Sequence, residues 1–263
     1  MTTTEKFINN QLVKYKPNSD VIFTEDLLIE NNQSYKRTNN DHVYDTCIEI
    51  TTCCNQECLN CFAESSYKKP GLNMGVTDFE RIIGSRISER IRFTISGGEP
   101  FLHPQIKNIL DIPRTYPSAN YWINTNGFIN NIQNYIEPLI NNEWNIAFSI
   151  HGARSTHNLY TKSDSYDLVK ANIIYLSKFL NTHIYSVINK NTTLSDINEL
   201  VRLKNLTNSS FLRFIVPREF GRINLNYDNN VIENIPAAHD IGIKRYASNT
   251  EFVSIKGVSR LTN

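Results

Sequence analysis

Cysteine is absent from every position after residue 61 of this 263-residue chain, and all five cysteines fall within fifteen consecutive positions, 47 to 61. An odd, crowded set of that kind is not a disulfide framework, which spreads its cysteines to close long loops. A charge imbalance is missing too: 27 Lys and Arg face 26 Asp and Glu, a formal charge of +1. No whole-protein field recruits nucleic acid or an anionic membrane. No stretch approaches the roughly 18 uninterrupted apolar residues of a membrane span. The start, MTTTEKFINNQ, has neither the basic opening nor the apolar run of a signal peptide. The expectation is a soluble, cytoplasmic chain. With only 10 Gly and 9 Pro, collagen-like sequence is excluded, and a 40% hydrophobic share is enough for a sizeable core rather than a disordered chain.

No Gly/Ser-rich or Pro-rich linker divides the sequence. Asn is abundant and often paired, as at Asn9-Asn10 and Asn229-Asn230, a compositional bias given no functional weight. The most polar stretch, Glu30 to Asp41, sets off residues 1–41 as an amino-terminal extension. Beyond Val43, short β-branched or aromatic runs alternate with segments of helical period, the pattern of repeated βα units on a parallel sheet. Six strands are predicted: Asp45 to Ile50, Ile91 to Ser96, Tyr121 to Asn124, Asn145 to Ile150, His183 to Ile188 and Phe211 to Val216. Thr77-Asp78-Phe79-Glu80 reads as a capping box opening the first helix, and Val169, Ile173, Leu176 and Leu180 lie at helical spacing on a later one. Ligands of such folds bind at the carboxyl ends of the strands.

The loop after the first strand carries Cys-x3-Cys-x2-Cys at Cys54, Cys58 and Cys61. Soft thiolates select zinc or iron-sulfur clusters, and a 4Fe-4S centre held by three cysteines leaves one iron open for a ligand. The competing reading is a structural zinc knob completed by Cys53, Cys47 or a distant His. Adjacent Cys53 and Cys54 do not easily point the same way on a continuing strand.

The Cys loop at the end of strand one, together with Gly97-Gly98-Glu99-Pro100 at the end of strand two, resembles the radical S-adenosylmethionine (radical SAM) superfamily. Asn124-Thr125-Asn126-Gly127 resembles the family's Thr-Asn-Gly turn, Ser149-Ile150-His151-Gly152 its Ser-Leu-Asp-Gly or Ser-Leu-His-Gly segment, and Leu212-Arg213-Phe214-Ile215 with Pro217 the strand-six segment of the molybdenum-cofactor cyclase and related branches. The resemblance implies an α/β fold, a partial (β/α)6 barrel spanning residues 42–222, with residues 223–263 closing or flanking it. It implies a 4Fe-4S cluster on Cys54, Cys58 and Cys61, and S-adenosylmethionine whose one-electron cleavage yields a 5'-deoxyadenosyl radical that takes a hydrogen atom from substrate. Cofactor contacts are expected from Phe62, Gly97, Gly98, Glu99, Thr125, Asn126, Ser149, His151 and Arg213. No catalytic residue is assigned beyond the cluster and the cofactor.

Two departures matter. Asn60 stands before the third cysteine, where the family often has an aromatic residue or His, and no later cysteine exists to hold the auxiliary clusters of the cyclase and many peptide-modifying members. A forty-residue start is short for a peptide-binding winged-helix domain. The expected substrate is therefore a small molecule (a sugar, nucleoside or amino-acid derivative), with a ribosomally made peptide as the alternative. A flavodoxin or ferredoxin is the implied electron donor. Cys47, Glu49 and Thr51 share one face of the first strand. Arg154, His157, Arg218 and Arg222 read either as a substrate-anion site at the barrel mouth or as a solvated rim.

Overall fold

The computed structural model describes residues 4–8, 11–15, 21–30, 44–86, 91–188, 191–215 and 243–253. Six parallel strands follow one another around a barrel: β4 (Tyr44–Thr51), β5 (Ile91–Gly97), β6 (Asn120–Thr125), β7 (Asn145–Ser149), β8 (Thr182–Val187) and β9 (Phe211–Ile215). Each agrees with a predicted strand to within a residue or so; Val216, like Pro217, Arg218 and Arg222, lies outside the described residues. Between them come helices α1 (Val76–Arg86), α2 (Ile106–Asp111), α3 (Ile136–Asn141), α4 (Arg154–Thr161), α5 (Tyr166–Leu176) and α6 (Leu194–Leu206). Ahead of them, β1 (Thr4–Ile8) pairs antiparallel with β2 (Gln11–Tyr15). The gap between β9 and β4 is closed by β3 (Val21–Glu30), antiparallel to β9, and β10 (Ile243–Val253), which pairs with β3 and runs parallel to β4. Among the described residues no helix is long and apolar enough to cross a membrane.

Alternation sorts the strand residues into two faces. Ile48, Ile50, Phe93, Ile95, Ile123, Ile146, Phe148, Ile184, Leu212 and Phe214 face outward and pack against helix residues such as Phe79, Ile83, Ile109, Leu139, Val169, Ile173 and Leu200 in one buried core. The opposite set lines the barrel interior: Cys47, Glu49, Arg92, Thr94, Asn124, Ser149, Tyr185 and Arg213 among them. At the amino-terminal end rings stack across that interior. Trp122 lies 4.3 Å from His183, which lies 4.1 Å from Phe211, and the Arg92 guanidinium covers Trp122. The carboxyl-terminal end is left to the loops.

Helix α1 starts at Val76, so Thr77 lies inside the first turn rather than ahead of it, a correction to the capping box expected there. A capping box does open α6, where Thr193 and Asp196 satisfy each other's backbone N–H groups. The apolar face at Val169, Ile173 and Leu176 is fully buried. Some of the abundant asparagines are structural. Asn145 donates to Asn120 (2.9 Å), Asn181 donates to Asn145 (2.8 Å), and Ser210 donates to Asn181, a ladder across the starts of four strands.

Candidate active site

The cysteine loop leaves β4 at a register shift between Glu49 and Thr51, a bulge that redirects the chain at the strand end. Its two ends are tied together. Thr52 N donates to Leu72 O, Leu72 N to Thr52 Oγ1 and Met74 N to Ile50 O, all within 2.9 Å. Cys53 turns toward Asn73 (3.9 Å), whereas Cys54 meets the Asn126 amide (3.7 Å). None of the five cysteines is in a disulfide, and all five are partly exposed. Among the described residues no group of three or more His, Cys, Asp or Glu is drawn around a position for one metal ion.

The Gly-Gly-Glu segment lies directly on this loop. Gly98 N donates to Thr51 O and Glu99 N to Cys53 O, each at 2.7 Å. A Cβ at Gly98 would stand 2.6 Å from the carbonyl carbon of Cys53 and overlap its oxygen. Gly97, at φ +131°, holds a backbone conformation that side chains disfavour. One close approach that these glycines permit is to the chain's own cysteine loop.

Glu99 is fully buried and joins two strand ends. Its Oε1 accepts from Phe101 N (3.1 Å) and Thr125 Oγ1 (2.8 Å), and its Oε2 accepts from Asn126 N (2.7 Å). Asn126 in turn donates from Nδ2 to Asn55 Oδ1 (2.8 Å) and accepts Phe128 N at Oδ1, while Asn55 Nδ2 donates to Phe128 O (2.6 Å). Cys54, Glu99, Thr125 and Asn126 thus form one connected polar network. Burial pushes Glu99 up to about 7, against the pull of the Asn126 and Phe101 amides and the Thr125 hydroxyl. A carboxyl group held above its unfolded value favours folding most strongly below about pH 4.5, and that contribution is lost as pH rises through about 7. Urea unfolding at about pH 5 and about pH 8 is expected to show up to about 3 kcal/mol of this loss in the native protein. In Glu99→Gln the loss is absent, and a constant cost of about 1–3 kcal/mol replaces it, because the amide N–H must face one of three donors.

A second wall of the loop comes from α4 and the turn after it. Leu59 N donates to Tyr160 O (2.8 Å), Tyr160 Oη to Asn60 O (2.9 Å), and Gln56 Nε2 to Ser165 Oγ (3.0 Å). Strand β7 stops at Ser149, so the shared strand face expected for Ser149 and His151 ends before His151. Ser149 stays on the interior face, in register with Tyr185. His151 is buried, accepts Val187 N at Nδ1 (3.0 Å) and lies 4.3 Å from the Tyr160 ring. Burial, with His157 beside it, holds its pKa well down. His157 is inside α4 and fully buried, not on an open rim, while Arg154 pairs with Asp167 at the surface. Phe62 is 44% exposed next to Cys61. Arg213 stands over the Tyr185 ring at 5.4 Å on the barrel interior, and burial lowers it to about 10. Asn55, Gln56, Tyr160 and Ser165 were not singled out by sequence; their partners lie roughly seventy to over a hundred positions away.

The donor set fits an iron-sulfur cluster. Three soft thiols on one loop could supply one ligand to each of three irons. Burial pushes the Cys54 thiol up to about 12, with Glu99 and Cys61 adding negative charge, against the pull of the Gln56 backbone N–H and the Asn126 amide. A cationic metal at the sulfur is what would stabilise the thiolate there.

A search of curated sequences finds no significant match. Among solved structures, native anSMEcpe with bound AdoMet is 20% identical, with a TM-score of 0.56 over 70% of this chain and 55% of that one. Streptococcus suis SuiB bound to S-adenosylmethionine is 17% identical, with a TM-score of 0.61 over 81% of this chain and 50% of that one. TYW1 with a lysine-pyruvate adduct bound is 16% identical, with a TM-score of 0.52 over 76% of this chain and 72% of that one. These likenesses concern the fold, and the chain spans about half the length of the first two. The Radical SAM superfamily model matches residues 48–203, from the first parallel strand through the start of α6 and most of its length. With more than half of the chain inside that match, this protein belongs to the radical SAM superfamily of enzymes.

Proposed function

We propose that this enzyme binds a 4Fe-4S cluster through Cys54, Cys58 and Cys61 and S-adenosylmethionine beside it, and abstracts a hydrogen atom from a substrate in the barrel interior. The observation carrying this reading is the attachment of the cysteine loop to Gly98, Glu99 and Asn126 at the carboxyl ends of β5 and β6. When bound, the cluster supplies the electron that splits the cofactor into methionine and a 5'-deoxyadenosyl radical. The chain's own part is placement and exclusion. Glu99 and Asn126 hold the loop, Ser149 and Arg213 present polar groups to the interior, and Trp122, His183 and Phe211 stack across the far end.

A small substrate with polar or charged groups suits an interior lined by Glu49, Asn124, Ser149, Tyr185 and Arg213. A peptide substrate is the second reading, favoured by similar folds that were solved with a Cp18Cys peptide and with the precursor peptide SuiA. A flavodoxin or ferredoxin would supply the electron.

The test is anaerobic reconstitution, then incubation with S-adenosylmethionine and dithionite while 5'-deoxyadenosine is quantified beside Cys58→Ala. The expected result is a brown protein with about four irons per chain that forms 5'-deoxyadenosine, and a variant that forms none. A colourless protein retaining about one zinc would overturn the reading in favour of a structural metal site.

A further inference from the structure

The side chains behind Cys58 form a buried chain that reaches its sulfur. His157 and Ser165 are 0% exposed and Gln56 is 2% exposed. His151 N donates to His157 Nδ1 at 3.2 Å. That nitrogen is therefore unprotonated, and the neutral ring carries its proton on Nε2. His157 Nε2 lies 3.0 Å from Ser165 Oγ and must donate to it. Ser165 Oγ lies 3.0 Å from Gln56 Nε2, and Gln56 Oε1 lies 3.7 Å from Cys58 Sγ as acceptor of the thiol proton.

That order suits a protonated Cys58. A thiolate on iron has no proton to give, and an amide oxygen facing it sets lone pair against lone pair. A half-turn of the Gln56 amide exchanges its nitrogen and oxygen in place. Ser165 permits the turn, because a hydroxyl both donates and accepts. One of its acceptor places is filled by His157 Nε2–H. Its proton can then point to Gln56 Oε1, while the Ser163 hydroxyl, 3.0 Å away, still donates to it.

We infer that Gln56, oriented by Ser165 and His157, is a positioning residue that donates an N–H to the Cys58 sulfur of the loaded cluster and thereby raises its reduction potential. The physical reason is that such a hydrogen bond withdraws charge from the thiolate and favours the reduced, more negative cluster. The inference rests on the cluster reading above.

The test is an electron-paramagnetic-resonance-monitored redox titration of reconstituted wild type, Gln56→Met and Ser165→Ala, without S-adenosylmethionine. Gln56→Met keeps the volume and removes the donor. It is expected to lower the reduction equilibrium about tenfold, 59 mV for one electron. Ser165→Ala leaves Gln56 present but unaligned and shifts the potential the same way by less. Iron-loaded variants titrating at or above the wild-type potential would overturn the inference while leaving the cluster reading intact. If Gln56→Met holds no iron, Ser165→Ala decides by the same criterion. If neither holds iron, the chain only braces the loop and the inference fails. A wild type that assembles no cluster removes both readings.

Discussion

Gly98→Ala is expected to unfold the site, with a stability loss of about 3 kcal/mol or more in chemical denaturation and no iron retained after reconstitution. The added methyl meets backbone, not a side chain. Its position lies 2.6 Å from the Cys53 carbonyl carbon and 3.0 Å from that of Thr52, and Gly98 N is already committed to Thr51 O. Relief requires β5 to part from the start of the cysteine loop, which removes the Gly98 and Glu99 N–H bonds together. Gly75→Ala is the control: its Cβ would meet only the Asp78 carboxylate at 3.2 Å, a side-chain end that can turn away. That variant is expected to lose no more than about 1 kcal/mol, the difference between Gly and Ala at the position capping α1, with full iron loading. Equal losses in both variants would show that the contact with Cys53 has no special weight.

Asn126→Asp is expected to impair cluster retention more than Asn126→Ala, although it is the smaller change in shape. Alanine removes the amide's bonds to Asn55, Cys54 and Phe128, and leaves Asn55 Oδ1 without its donor, at about 1–3 kcal/mol. Aspartate restores the acceptor for Phe128 N but places a carboxylate where the Nδ2 donor stood, 3.7 Å from Cys54 Sγ. Two full negative charges at that separation repel by about 4 kcal/mol near a protein surface. The buried Glu99 carboxylate bonded to the same residue adds to the repulsion. Iron and sulfide content after reconstitution, measured beside apo-protein unfolding, separates the two effects. The aspartate variant should lose most of its cluster while its apo fold resembles that of the alanine variant.

Both predictions show how the motifs divide their work. Gly97, Gly98, Glu99 and Asn126, expected to meet the cofactor, also hold the cysteine loop on the strand ends. A short motif records residue types at fixed spacing, but not which group receives their hydrogen bonds. Glu99 illustrates the limit. Its neighbourhood in sequence suggests a carboxylate awaiting an ammonium group, yet three donors of its own chain already face it.

Although β1, β2, β3 and β10 were not predicted, the six parallel strands, the apolar face of α5, the succession of βα units and the spacing of the three cysteines were readable from residue order. They depend on period, turn chemistry and spacing, which are local properties of a chain. The end of β7 before His151, the start of α1 before Thr77, and the burial of His157 were not. The partners of Gln56 and Tyr160 lie 109 and 100 positions along the chain. Only closure of the barrel, which carries α4 onto the loop after β4, brings them within hydrogen-bonding distance. Local pattern is enough to place the six parallel strands and to single out the cysteine loop. The proton order behind Cys58 and the contacts that hold its loop depend on distances that exist only once distant segments have packed.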